Sequence, residues 1–521
     1  MNKASLQTPG VYITEQNAFG GSVVQVATAV PAFIGYTPKA AYGGKSYTNL
    51  PQKISSFAEF QAIYCLEDAT GLIAVKQYFP QYYLVPQAAK PESGNYVLIN
   101  NVYYLILPDP NTCYYLYNSI RLFYENGGGD AYIVSVGGYG QPSGRPLAAG
   151  APVINQHVKL ADLETGLTLL MKVQEVTMYI CPEATLLSQA DNAAIMQAML
   201  LQNGQMQTAV SVFDVPGGKD PNAALYTNDI DNFRQSAGNT NLSFGTAYYP
   251  FACTTITGED EFDYTNFFGG DASQLEAIIN PASNPDPALA SIFSNINSSS
   301  GTIAQNQNAL LNASSAYTNL YNLALADVNI LPPSGAMAGI MTMVDISRGV
   351  WVAPANVGVT GAVSLPLNLT NEQQAGLTVD PISGKSINAL REFPMMGVMV
   401  WGARTLDGNS LDWRYLPVVR TMVMIEQSCK LALLSLSFMP DTSGTWAYAV
   451  SMISSFLESL WKQGALQGSS PATSYSVSCG LGLTMNAEDI FNNLLIVSVK
   501  VAVVHPAEFI EFTVQQQLYQ A

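Results

Sequence analysis

The stretch Val400-Trp401-Gly402-Ala403-Arg404-Thr405 ends a predicted strand and precedes two long predicted helices. The first helix is expected from about Tyr415 to Phe438, and its sequence is apolar on nearly every side. A helix of that kind is usually buried. Met439-Pro440 should end it, because proline removes a helical donor and disfavours helix in the residue before it.

The second predicted helix has a clearer amphipathic pattern. Ser443 or Thr445 can cap its start, and Gly464 ends it. Its apolar residues recur at spacings of three and four, which predicts one buried face made of Trp446, Val450, Ile453, Leu457 and Leu460. The strand and the two helices therefore predict a packing core and not a reaction centre.

Several blocks around these helices resemble the C-terminal part of contractile tail sheath proteins, the family of phage tails, R-type pyocins and extracellular contractile injection systems. The matching blocks, in this order and spacing, are 387–391, 400–405, 413–415, Arg420 and 445–468. Blocks 9–12 and 32–35 resemble the N-terminal signature of the same family. In all, the resemblance covers residues 8–40, 118–136, 176–252 and 330–515.

Composition limits the possible functions. A chain of 521 residues is too long for one ordinary core and predicts about two to four domains. Only 11% of residues are charged, against a usual share of about 25%. Either the surface is built from uncharged polar residues, or copies of the same protein cover much of it. The net charge of −17 argues against a nucleic-acid partner and against anionic membrane surfaces.

The sequence also indicates where the protein is made. Its start lacks the apolar region of a signal peptide, and its longest apolar runs, 431–439 and 494–504, are too short to span a bilayer. The six cysteines lie far apart, which suits free and mostly buried thiols in a reducing compartment. We expect assembly in the bacterial cytoplasm, without membrane insertion, followed by incorporation into a phage tail or phage-tail-like particle.

Both ends of the chain are predicted to be strand-forming arms. Residues 1–25 contain one short strand with Val11, Tyr12 and Ile13, bordered by glycines. A strand this short cannot bury a face alone, so it should pair with a sheet edge in the same chain or in another. The C-terminal arm, 506–521, ends in a strand with Ile510, Phe512 and Val514 on one side. The family resemblance implies that both arms pair with neighbouring subunits.

Between the arms, the sequence predicts a mixed α/β, multidomain fold. A discontinuous core domain is expected from 26–76, 118–145 and 388–505, with two buried helices and a sheet. A middle α/β domain, 146–387, has a βαβ rhythm, with strands at 176–181, 208–215 and 244–249. Two inserts interrupt these domains. An aromatic-rich insert at 77–117 contains a hairpin around Asn100-Asn101, and a second insert lies at 258–331.

Motifs for catalysis or cofactor binding are weak. Gly43-Gly44-Lys45-Ser46 lacks the first glycine of a phosphate loop. His157 and His505 are too isolated for a histidine-based metal site or nucleophile system, and the acidic run 259–263 lacks the spacing of a calcium loop. We therefore predict no enzyme activity, no catalytic residues, no metal and no cofactor. An α/β enzyme with a site at the ends of strands 176–181 and 208–215 remains an alternative, as does a non-contractile shell protein.

The resemblance implies a structural function. Copies would form hexameric rings, stacked helically around an inner tube, and contraction would drive that tube through a target envelope. The expected partners are the protein itself, the inner tube protein, and the baseplate and terminal cap proteins, with no nucleic acid. Contact with the tube would come from the C-terminal domain, and our candidates are Glu488, Asp489 and Asn492 in segment 487–493.

Overall fold

The computed structural model describes residues 22–508. The predicted arm residues Val11, Tyr12, Ile13, Ile510, Phe512 and Val514 lie outside the described residues, so their pairing stays a prediction. The described chain divides into two compact units. The larger unit consists of 27–424 and 505–508, and the smaller unit of 22–26 and 425–504.

The strands are β1 Pro31–Tyr36, β2 Ala41–Tyr42, β3 Lys45–Ser46, β4 Gln52–Ile54, β5 Tyr82–Gln87, β6 Tyr96–Ile99, β7 Val102–Pro108, β8 Ala131–Gly137, β9 Met178–Ile180, β10 Val210–Asp214, β11 Gly245–Tyr249, β12 Ala252–Thr254, β13 Ile330–Leu331, β14 Val357–Gly358, β15 Ala362–Ser364, β16 Asn388–Phe393, β17 Gly397–Trp401, β18 Tyr475–Cys479 and β19 Val497–Val501.

The helices are α1 Phe57–Tyr64, α2 Leu116–Glu125, α3 Leu160–Leu169, α4 Gln189–Met206, α5 Tyr226–Ser236, α6 Ala272–Ile279, α7 Pro287–Asn297, α8 Ile303–Ala313, α9 Ser315–Val328, α10 Ser334–Arg348, α11 Asn371–Thr378, α12 Leu416–Leu434, α13 Ser443–Lys462, α14 Pro471–Ser474 and α15 Ala487–Phe491.

A nine-stranded sheet forms the centre of the larger unit, in the order β14-β17-β16-β11-β10-β9-β1-β8-β4. Its middle is parallel, since β8, β1, β9, β10, β11 and β16 pair side by side in one direction. Strands of parallel sheets are usually covered on both faces and are apolar throughout. Accordingly, every residue of β1, β9, β10 and β11 is buried.

This sheet corrects the predicted domain division. The sequence assigned β9, β10 and β11 to a separate middle domain, and β1, β8 and β16 to the core domain. In the structure, β1 pairs directly with β9 on one side, and β11 pairs with β16 on the other. The helix and strand alternation of 150–255 is present, but its strands continue a sheet begun by segments far away in the sequence.

The two inserts pack against each other. β5, β7 and β6 form an antiparallel three-stranded sheet, and α6 to α9 share a separate hydrophobic core with it. The predicted hairpin is confirmed as β6 and β7, with Asn100 and Asn101 at φ 48° and 63°. Positive φ at both central residues is the geometry of the tight hairpin turn that matches strand twist. The inserts are therefore two halves of one module.

The smaller unit contains α13 and the β18–β19 sheet. The prediction of Ser443 or Thr445 as the cap of α13 is wrong, since Thr442 occupies the N-cap position, while Gly464 follows the helix at φ 85° as expected. Ile453, Leu457 and Leu460 are buried as predicted, but Trp446 and Val450 are only half-buried. The prediction that the helix before it, α12, is apolar on nearly every side and therefore buried is wrong for the last turns of α12. Leu431 and Leu434 are 50% and 59% exposed, because apolar residues surround the helix there and only part of its circumference is packed.

Candidate functional site

The candidate assembly surface lies in the smaller unit and begins with the β18–β19 sheet. Val477 lies opposite Val499, and Cys479 lies opposite Val497. These residues share one face, which packs towards Trp446 and Val450 of α13. In β19 the valines are only half-buried. Among residues 22–508, no third strand pairs along β18 or β19, and residues 465–467 bond to 502–504, just beyond the end of β19.

The predicted tube-contact residues lie together on the short helix α15, which follows an exposed turn. Asn486 caps this helix, since its Oδ1 accepts from the backbone N–H of Glu488 at 2.8 Å and of Asp489 at 2.9 Å. The Asp489 carboxylate accepts from the Asn486 N–H at 2.9 Å. Glu488 and Asn492 are exposed, and Asp489 is half-buried. Asp489 thus has a capping role, which leaves Glu488 and Asn492 as the freer contact candidates.

Sequence reasoning missed the apolar side chains beside these polar candidates. Leu483, Phe491 and Leu494 are 77%, 85% and 50% exposed. The sequence alone does not separate them from Met485 in the same segment, which is 3% exposed, because exposure depends on tertiary packing. The surface around α15 is therefore mixed, with an acidic side chain next to exposed apolar groups.

The enzyme alternative pointed to the ends of β9 and β10, where two buried acids lie. Glu183 Oε1 accepts from the N–H of Leu116 at 2.8 Å and of Tyr115 at 3.3 Å, at the start of α2. Burial raises the pKa of Glu183 to about 8. Gly35 makes room for this side chain, since a Cβ there would lie 2.3 Å from Glu183 Oε2.

The second acid, Asp214, has an equivalent contact at α10. It accepts from the Ser334 N–H at 2.8 Å and from the Ser334 hydroxyl at 2.5 Å. Burial raises the pKa of Asp214 to about 7. Both acids thus accept from N–H groups at the amino ends of helices, which lowers their pKa values, but burial has the larger effect and raises them. This arrangement explains the buried acids structurally.

The other chemical motifs have structural explanations too. Gly43 and Gly44 form the turn of the β2–β3 hairpin, at φ 57° and 77°, and do not lead into a helix. His157 Nε2 lies 2.9 Å from the carbonyl of Gln141. Within residues 22–508, no three His, Cys, Asp or Glu side chains form a metal-binding group. No helix in that range combines the length and apolar character needed to cross a membrane.

The six cysteines agree with the predicted free thiols. None is in a disulfide, five are buried, and Cys253 is half-buried.

Comparison with known proteins identifies the fold. The sheath complex of PVC, an extracellular contractile injection system, solved in the contracted state, is 24% identical and has a TM-score of 0.57, with 98% of each chain covered. The contracted helical sheath of the anti-feeding prophage (AFP) is 23% identical, with a TM-score of 0.58, covering 98% of this chain and 99% of that one. A chain of the 6-fold symmetrised AFP baseplate structure is 23% identical, with a TM-score of 0.57, covering 98% of this chain and 99% of that one. No curated protein sequence matches.

The chain therefore has the mixed α/β, multidomain fold of contractile sheath proteins. Residues 409–517 match the model of the phage tail sheath C-terminal domain family.

Proposed function

We propose that the protein is the structural subunit of a contractile sheath, which polymerises as stacked rings around an inner tube and contracts to drive the tube into a target. The observation that carries this proposal is the match of residues 409–517 to the phage tail sheath C-terminal domain family. The likeness of fold to contracted PVC and AFP sheaths, over nearly the whole chain, supports it. Self-assembly also agrees with the low charged fraction of 11%.

The rings are hexameric, and a baseplate starts them. The likeness to a chain of the 6-fold symmetrised AFP baseplate structure supports this part of the proposal. The inner tube protein and a terminal cap protein are the further partners. Assembly takes place in the bacterial cytoplasm, after which the subunit is part of a phage tail or injection particle.

Subunits are joined by strand exchange. The β18–β19 sheet has two strands and a half-buried valine face, and a sheet this small is marginal in water. Added strands from neighbouring subunits would extend it through main-chain hydrogen bonds and cover its apolar side. The strands containing Val11–Ile13 and Ile510–Val514 have the length and alternation for this. Such main-chain bonds between subunits persist while the folded parts rotate. In this proposal, contraction needs no nucleotide hydrolysis.

Tube attachment is assigned to the exposed surface of α15, through Glu488 and Asn492 with Asp489 as the helix cap. Replacing Glu488 by lysine reverses the charge without removing the cap, and it should reduce co-sedimentation with inner tubes. The matched control is Glu164→Lys, on the exposed surface of α3. Equal co-sedimentation of both variants with tubes would rule out this assignment.

Electron microscopy of the purified subunit, alone and with preformed inner tubes, tests the function. Long hollow tubes with cross-striations, in an extended and a contracted form, are the expected result. Deleting residues 1–16 should leave a soluble subunit that does not polymerise. Particles with only one helical form would instead support a non-contractile shell, and absence of any ordered assembly on tubes would refute the proposal.

A further inference from the structure

The last described residue before the C-terminal segment, Glu508, is held by an arginine. Arg404 Nε and Nη2 donate to the Glu508 carboxylate at 2.9 Å and 2.6 Å, and the Tyr415 hydroxyl donates to it at 3.1 Å. The Arg404 side chain is 4% exposed. A bidentate arginine–carboxylate pair of this kind is among the strongest and most directional polar contacts. His505 also packs edge-on against the Tyr415 ring.

Arg404 is itself fixed to the nine-stranded sheet through its main chain. Its N–H donates to Asn388 Oδ1 at 2.8 Å, and its carbonyl accepts from Asn388 Nδ2 and Thr246 Oγ1, both at 2.9 Å. Asn388 begins β16 and Thr246 lies in β11. The contact at Glu508 is therefore connected to the middle of the sheet by hydrogen bonds.

The N-terminal segment enters the larger unit beside a second such pair. Arg420 donates to both Asp345 carboxylate oxygens, at 3.0 Å and 2.7 Å, and both side chains are 3% exposed. The same arginine donates to the Thr28 carbonyl at 2.9 Å, and the Thr28 hydroxyl donates to Asp345 at 2.6 Å. Thr28 is the second residue of the larger unit after the N-terminal segment.

We propose that Arg404 and Arg420 are positioning residues that hold the roots of the two terminal segments, 27–30 and 505–508, on the larger unit. Tension that reaches residues 27–30 or 505–508 in an assembled sheath is then carried by these contacts, and the segment does not peel away from the larger unit. This inference rests on the proposed function, because it assigns the load to arms that join subunits. If the two arginines served only local folding, their loss would weaken the soluble subunit and the assembled sheath together, and not the sheath alone.

The experiment compares Glu508→Gln, Arg404→Lys and Thr28→Val with wild type. Glu508→Gln removes the charge, Arg404→Lys keeps the charge but not the bidentate geometry, and Thr28→Val removes the hydroxyl contact with Asp345. Arg391→Lys is the control, since Arg391 bonds Asn371 and Gln374 away from both roots. Arg420 is left unchanged, because breaking its fully buried ion pair can prevent folding.

Two measurements are made on each full-length variant. In the soluble subunit, amide hydrogen exchange should rise at 505–508 in the two C-terminal variants and at 27–30 in Thr28→Val, with Tm within about 2 °C of wild type. In sheaths assembled on inner tubes, the fraction surviving a fixed shear treatment should fall at least about tenfold. Arg391→Lys should change neither quantity.

The outcomes separate this inference from the proposed function. The inference is overturned if sheaths of all variants survive shear like wild type. If deletion of 509–521 still abolishes assembly in that case, the proposed function stays intact. If wild type does not assemble on tubes, the function fails. Hydrogen exchange in the soluble subunit then decides the matter, since unchanged exchange at both roots also overturns the inference.

Discussion

The contact between α10 and α2 makes a sharp prediction, because two glycines allow the helices to touch. An added Cβ at Gly335 would lie 2.3 Å from the Ser119 carbonyl oxygen, and one at Gly339 would lie 2.4 Å from the Phe123 carbonyl oxygen. These oxygens belong to backbone, so the collision can be relieved only by moving a helix. Gly339→Ala gains up to about 1 kcal/mol of helix propensity but overpacks the contact. Overpacking costs about 1–3 kcal/mol, and a collision with backbone belongs in the upper part of that range, so we expect a net loss of about 1–2 kcal/mol.

The control is the same substitution in an open position. Gly376 lies in α11 with nothing within 4 Å of an added Cβ, so Gly376→Ala should stabilise the protein by about 0.5–1 kcal/mol. Urea unfolding of the soluble subunit, followed by tryptophan fluorescence, measures both changes through the midpoint of the larger unit's transition. A Gly339→Ala protein as stable as wild type, or a loss in Gly376→Ala, would contradict the close-contact explanation.

Three further predictions follow from polar groups and turns. Burial raises the pKa of Glu183 from 4.5 to about 8, so the folded chain keeps a proton that the unfolded chain releases, and stability falls as pH rises across that window. In Glu183→Gln, the free energy of unfolding should therefore decrease less between pH 5 and pH 8, by up to about 4 kcal/mol in urea titrations at both pH values. Asp327→Asn removes the carboxylate that pairs at 2.9 Å with Lys219, whose side chain is 15% exposed, and should cost about 1–3 kcal/mol, with faster limited proteolysis within the insert module. Asn101→Gly relieves a φ of 63° in the hairpin turn and should raise the thermal midpoint slightly, whereas Asn101→Val should lower it.

Local elements could be predicted from sequence because their signals are local. The strands β9 to β11 occur within a few residues of their predicted limits, and α13 ends shortly before Gly464 as predicted. Even here a cap was missed. The start of α13 was expected at Ser443 or Thr445, but Thr442 occupies its N-cap position.

Long-range arrangement could not be predicted in the same way. Strand β1 pairs with β8 and β9, which lie about one hundred residues or more further along the chain. An apolar run does not encode which strand it will pair with. The α10 glycines gave no hint of their neighbour α2, and the two inserts gave no hint that they share a core. At the candidate site, the sequence singled out the charged residues of α15 and missed the exposed apolar residues, because exposure depends on tertiary packing.

The nine-stranded sheet also explains why an α/β topology here need not imply catalysis. In open parallel sheets, ligands usually bind beyond the carboxyl ends of the strands. In this chain the acids at two of those ends, Glu183 and Asp214, already bind the amino ends of α2 and α10. The position that an enzyme would use for substrate is thus used to attach helices to the sheet. In the proposed sheath, the subunit must move as a body while its arms stay attached, and a sheet with arginines that hold both terminal segments suits that movement. Function is therefore argued from those sites and not from the fold alone.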